Sequence, residues 1–206
     1  MIQASDISKI VLPARVNLFS KGQARALWAV GNAQILRRPL LALISARQTE
    51  GDLAAISLQL IQKLAASKNI SFISGWHSPL EQKCLRIALS AQAPLVFCTS
   101  KALDRFKPSA ELKELVSDKK ALLLTHCTPH AKRISRGASI RRNELLIELA
   151  AALLVLSAPE GSASFNLAIA ALVDKPVFTL DHHINKKLLD CSASVASFDS
   201  ISTALR

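Results

Sequence analysis

No apolar run in this sequence is long enough to cross a membrane. The longest, Leu149 to Leu156, falls far short of the roughly 20 residues that a spanning helix needs. The opening residues, MIQASDISKIVLPARV, lack the basic start, long apolar stretch and small-residue cleavage site of a secretion signal. These absences set the expectation of a soluble, cytoplasmic protein with no membrane role. There is no CxxC pair either. Cys84, Cys98, Cys127 and Cys191 are widely scattered, which argues against a disulfide framework and suits reduced, mostly buried thiols. No internal repeat and no low-complexity segment interrupts the chain.

Acidic residues are missing from two long stretches. None lies between Ile7 and Thr49, which holds Lys9, Arg15, Lys21, Arg25, Arg37, Arg38 and Arg47. None lies in the run of Lys132, Arg133, Arg136, Arg141 and Arg142. The formal net charge is +11. A charge run is usually a solvated face, but two acid-free basic runs within one compact domain point to a polyanionic partner, a nucleic acid or a nucleotide.

What the chain does have is apolar material in a regular order. Half of its 206 residues are hydrophobic, enough for one large domain with a full core. Short apolar strands are predicted at 40–46, 70–75, 94–98, 120–126, 152–158 and 176–180. Helical patterns stand between them: about 52–67, the stretch SPLEQKCLRIALSA with Pro79 in its first turn, KPSAELKELVSD with Pro108 near its start, about 140–150, and 162–173. Weaker strand-then-helix patterning runs on to Arg206. Strands without polar alternation, each followed by a helix, predict an α/β fold: a Rossmann-like, doubly wound, mostly parallel sheet with helices on both faces. Residues 1–38 read as an N-terminal extension packed on the core, and 39–206 as the Rossmann-like domain.

In such a sheet, ligands bind beyond the carboxyl ends of the strands, where strand order reverses. The residues just after the strands are therefore the candidates. They are Ser45-Ala46-Arg47, Ser74-Gly75-Trp76-His77, Cys98-Thr99-Ser100, His126-Cys127-Thr128 and Glu160-Gly161-Ser162. Glycine lets a backbone approach a phosphate closely, and a helix N-terminus offers unpaired N–H groups. Any strand-to-helix turn also favours Gly and Ser as caps, so no single turn identifies a site. Trp76 is either a base-stacking platform or packing. Cys98 and Cys127 have no base paired with them in the sequence and read as buried thiols. His126, Cys127 and His130, with His182 and His183, match no usual zinc spacing, so no metal is expected.

LWAVGNAQILRRPLLALISARQ, FISGWHSPLEQKCLRIAL, IRRNELLIELAAALLVLSAPEGSASFNLAIA and DKPVFTLD follow one another in the order and spacing of DprA/Smf, the DNA-processing protein A family, which the chain resembles from about residue 26 to 183. In that family's GSR turn, Arg47 matches the arginine, while Ser45 and Ala46 replace glycine and serine. Ser74 and Gly75 match an SG pair, and the ARGID that follows becomes His77, Ser78, Pro79, Leu80 and Glu81. Arg142 and Asn143 match an RN pair, with Ser139 and Ile140 replacing the preceding Phe-Pro. Gly161 and Ser162 match a GS turn.

The resemblance implies a Rossmann-like core and single-stranded DNA held by Arg47, Ser74, Gly75, Arg142, Asn143, Gly161 and Ser162, with Lys132 of the second basic run joining them. It further implies a homodimer and a RecA-type recombinase as partner in DNA uptake and recombination, with no cofactor and no catalytic residue. The alternative is a small-nucleotide-binding or nucleotide-hydrolysing domain of the same superfamily; a third is a scaffold that keeps only the fold and dimer surface. Hydrolysis of that kind calls for a PGGxGTxxE pattern, whereas SAPEGSASFN has one glycine and no threonine. A DNA binder should show a shallow basic groove linking Arg47, Arg142 and Lys132; a nucleotide enzyme should show a closed pocket with a carboxylate inside.

Overall fold

The computed structural model describes residues 2, 4–12, 25–131 and 136–206. Lys132, with Arg15, Lys21 and Arg133, lies outside the described residues. In chain order the elements are β1 (Ser8–Leu12), β2 (Arg25–Gly31), β3 (Leu40–Ser45), α1 (Gly51–Ala66), β4 (Ser71–Ser74), α2 (Pro79–Ser90), β5 (Leu95–Cys98), α3 (Ala110–Ser117) and β6 (Ala121–Thr125). There follow α4 (Arg136–Leu149), β7 (Ala152–Ser157), α5 (Ala163–Ala171), β8 (Val177–Thr179), α6 (Lys186–Asp190), β9 (Ser194–Val195) and α7 (Phe198–Ala204).

The strands form one sheet in the order β1-β2-β6-β5-β4-β3-β7-β8-β9. From β6 to β9 every neighbouring pair is parallel. Such a sheet is covered on both faces, which is why Leu40–Ile44, Phe72–Ile73 and Ala152–Leu156 are apolar without alternation. One face packs on α1, α2, α3 and α7 through Leu53, Ile61, Leu64, Leu80, Cys84, Leu112, Leu115 and Ile201. The other packs on α4, α5 and α6 through Leu145, Leu146, Ile147, Ala168, Ala171 and Leu188. Each fully buried Leu, Ile or Phe contributes about 1.5–3 kcal/mol, and the doubly wound architecture is the arrangement that buries them all.

Sequence patterning marks no element before Leu40. Yet β1 pairs antiparallel with β2, and β2 antiparallel with β6, so the first residues lengthen the sheet beyond its parallel part. The second difference concerns α4. The helix expected from about residue 140 begins at Arg136, which places Arg142 and Asn143 about two turns inside it, not at its mouth. The other helix starts follow local rules. Ser78 caps α2 ahead of Pro79, its Oγ accepting from Glu81 N at 3.0 Å. Ser109 caps α3, and Ser162 caps α5.

Candidate functional site

The chain leaves β3 for β4 on one side and later lays β7 on the other. Strand order therefore reverses between β3 and β7, and the crevice beyond their carboxyl ends is the expected ligand position. The register slips between Ile44 and Ser45, after which Ala46 N donates to Ser157 O at 2.8 Å. Arg47 then emerges exposed. Across this seam, Gly161 is exposed and Ser162 half-buried. The Ser162 Oγ accepts from Phe165 N at 3.1 Å, while the first amides of α5 have no acceptor within the helix. Those amides and the helix dipole favour an anion.

Gly161 has φ +75°, and a Cβ there would meet nothing within 4 Å. Its glycine serves the left-handed backbone, not steric room. Gly161→Ala is therefore expected to fold and to lose about 1 kcal/mol of unfolding free energy in urea. A loss three times larger would mean that the turn is tightly packed after all.

The second cluster lies beyond β4. Ser74 is fully buried; its Oγ donates to Leu43 O at 2.8 Å and accepts from Trp76 N at 3.2 Å. That hydroxyl locks two strands together rather than facing solvent. Gly75 has a different reason to be glycine. A Cβ at this position would lie 2.4 Å from Nη1 and 2.6 Å from Cζ of Arg142, so α4 and the β4 exit meet here through a guanidinium laid on bare backbone. Arg142 is only 7% exposed, and the expected surface groove through it is corrected accordingly. Its Nε donates to Asn143 Oδ1 at 3.0 Å, while its buried Nη1 has no hydrogen-bond partner among the described residues. Desolvation pulls its pKa down to about 10, still charged at neutral pH. Trp76, held at φ 53°, is 3% exposed within the core. It is packing, not a stacking platform.

Between the two clusters stands Glu81, 7% exposed. Its Oε1 accepts from Ser45 N at 2.9 Å, and its Oε2 from His77 N at 2.7 Å and Ser78 N at 3.4 Å. Desolvation pushes its pKa up to about 7, with the Ser45 and Ser78 amides opposing. Both oxygens are occupied by backbone donors, which suits a structural carboxylate better than a general base.

One group of side chains among the described residues has the makings of a metal site: Glu50, His182 and His183, whose donor atoms lie within 4.8 Å of one another. His182 Nε2 also approaches Asp52 Oδ2 at 3.2 Å. However, His182 Nδ1 accepts from Ile184 N at 3.2 Å, so the neutral ring carries its proton on Nε2 and gives it to Asp52. A metal on Nε2 needs the opposite tautomer, with Nδ1 donating. The group therefore reads as a clamp between the β8 exit and the start of α1. Asp52 is held below the ordinary carboxylate range, first by the Leu53 amide and then by His182. Cys84 and Cys98 are buried and free, with burial pushing the Cys84 thiol up to about 12; neither is a nucleophile.

The strand ends carry further cations that motif matching passed over. Lys101 is exposed directly after β5, two strand positions from β3, roughly 10 Å at the usual spacing. Arg141 is exposed on α4 beside the buried Arg142. The signal for Lys101 was its place: third after the strand end Cys98, in a turn with Thr99 and Ser100.

The model of the DNA recombination-mediator protein A family matches residues 12–198. Among solved structures, DNA processing protein A from Helicobacter pylori, described as having a unique single-stranded DNA binding mode, superposes with a TM-score of 0.76 at 20% identity, covering 96% of this chain and 94% of that one. DNA processing protein A from Streptococcus pneumoniae gives 0.75 at 18% identity over 88% of this chain, which spans 66% of the pneumococcal chain. The molybdenum cofactor binding protein of Rippkaea orientalis gives 0.59 at 15% identity, covering 82% of this chain and 99% of its own. At these identities the three share the fold. No curated protein matches the sequence.

Proposed function

We propose, for a chain that belongs to the DNA recombination-mediator protein A family, that single-stranded DNA binds along the carboxyl ends of its strands without being chemically altered. The observation that carries this is the exposed Arg47 at the β3–β7 switch point, across the seam from the Gly161–Ser162 turn at the start of α5. Arginine and helix amides both suit phosphate oxygens, which are present in every DNA sequence. Lys101 and Arg141 extend the cationic edge; Lys132, a candidate from the acid-free basic run, lies outside the described residues. Ser74, Gly75, Arg142 and Asn143 lie beneath this edge, where the β4 exit meets α4.

Family membership also supports a homodimer, a RecA-type recombinase as partner and a cytoplasmic setting. No helix among the described residues is long and apolar enough to cross a membrane. The alternative is small-nucleotide binding. Against it stands Glu81, the buried carboxylate at the strand ends, whose oxygens are occupied by backbone N–H groups. Fluorescence anisotropy of a labelled oligothymidylate, with mononucleotides as competitors, decides between the two. The oligonucleotide is expected to bind and to resist displacement by any mononucleotide at comparable concentration. Displacement by one mononucleotide class would transfer the site to the small-ligand reading.

A further inference from the structure

We propose that Glu81 is a positioning residue for the DNA site: its carboxylate fixes the exit of β3, and with it Arg47, against the turn that follows β4. The inference rests on the reading that Arg47 contacts DNA. Its basis is geometric. Ser45 stands where the β3–β7 register slips, and its amide donates to Glu81 Oε1 at 2.9 Å. From the neighbouring exit, His77 N and Ser78 N donate to Oε2 at 2.7 and 3.4 Å. One carboxylate on α2 therefore ties together the loops leaving two adjacent parallel strands, two residues before Arg47 and two after Gly75.

The ionised form suits this place. A carboxylate only accepts, and three backbone donors converge on it; protonation turns one acceptor position into a donor aimed at other donors. The side chains of Ser74 and Ser78 also favour its charged form. The titratable neighbours are the Cys84 thiol on the same helix, pushed up by burial and by Glu81's charge, and His77, which offers its backbone. On α4, Arg142 packs on Gly75. Burial holds the Glu81 carboxyl near pH 7, so both states are reachable in ordinary buffers.

Two signs separate positioning from its rivals. If Glu81 acted on DNA only through its charge, protonation would tighten binding to a polyanion; if it positions Arg47, protonation weakens binding. Folding stability goes the other way. A carboxyl whose folded pKa lies above its unfolded value favours the fold when protonated. That contribution is full below about pH 4.5 and is lost as pH rises through about 7. Stability thus falls and DNA affinity rises over the same window, whereas a merely structural role moves both together.

The test compares the parent chain with Glu81→Gln for oligothymidylate affinity between about pH 6 and about pH 8, alongside hydrogen exchange of the Ser45 and His77 amides. At the upper pH the parent is expected to bind about tenfold more tightly than the variant, the gap closing on acidification. Both amides should be protected in the parent at the upper pH and lose protection as pH falls. Equal affinities throughout, or a gap that widens on acidification, overturn the proposal. A parent that binds no DNA at any pH sinks the DNA reading itself. Exchange then decides for Glu81, as it does if the variant fails to fold: unprotected amides in the parent overturn the positioning role.

Discussion

Arg142→Met is expected to stabilise the folded chain, by about 1–3 kcal/mol in denaturant unfolding. The guanidinium is 7% exposed and retains its charge, and its Nη1 has no partner among the described residues. Desolvating such a group costs more than one bond to Asn143 returns. Methionine fills similar space without the charge. A coupled result should accompany it. Gly75→Ala places its Cβ against Nη1, Cζ and Nε of Arg142, and is expected to cost about 1–3 kcal/mol in the parent. In an Arg142→Ala background the three nearest obstacles are gone, so most of that cost should vanish, a coupling that a double-mutant cycle measures directly. Buried, under-satisfied groups of this kind cluster at functional sites. If Arg142→Met is more stable and binds DNA less well, the cation is retained for the ligand. A destabilised methionine variant would contradict the energetic account of this residue.

The largest effect on binding is expected at Arg47. Replacing it by alanine should lower single-stranded DNA affinity by about 1–3 kcal/mol, the range of a charge-assisted contact. Stability should change by no more than about 0.5 kcal/mol, since the side chain is exposed and lies beyond the end of β3. The loss should be similar across DNA sequences, because phosphates carry no base identity. Lys9→Ala provides the control: it is exposed on β1 at the far edge of the sheet and should leave affinity unchanged.

The parallel part of the fold was legible in the sequence because a strand buried on both faces has no polar positions. LLALIS, SFIS and ALLVLS can be little else between helical patterns. β1 and β2 were not: SKIVL is the edge strand, and RALWAVG, one strand in, alternates buried Leu27 and Ala29 with half-buried Ala26, Trp28 and Val30, which leaves a weaker pattern. The start of α4 was misplaced because Ser139, just before the apolar Ile140, reads as a cap as readily as Ser135 does, and that error alone moved Arg142 from the helix mouth to its interior. An arginine two residues past Ile140 in an arginine-rich run reads as surface. Only the bare backbone of Gly75, more than sixty residues earlier in the chain, makes room for it. Glu81 shows the same limit. Its place three residues after Ser78 marks a helix cap, but the bond to Ser45 depends on β3 and β4 lying side by side, which no local pattern encodes. Arg47, Gly161 and Ser162 were placed correctly beyond their strands because strand ends, once known, determine where the turns fall.

The most direct test of the account is the salt dependence of oligothymidylate binding, measured for the parent, Arg47→Ala and Lys101→Ala. For single strands, log affinity falls with log salt by roughly 0.7 per phosphate neutralised. The account predicts a steep slope for the parent and a slope shallower by about that amount in each variant. A parent slope near zero, or variants that match the parent in both affinity and slope, would contradict a phosphate-binding edge at the carboxyl ends of this sheet.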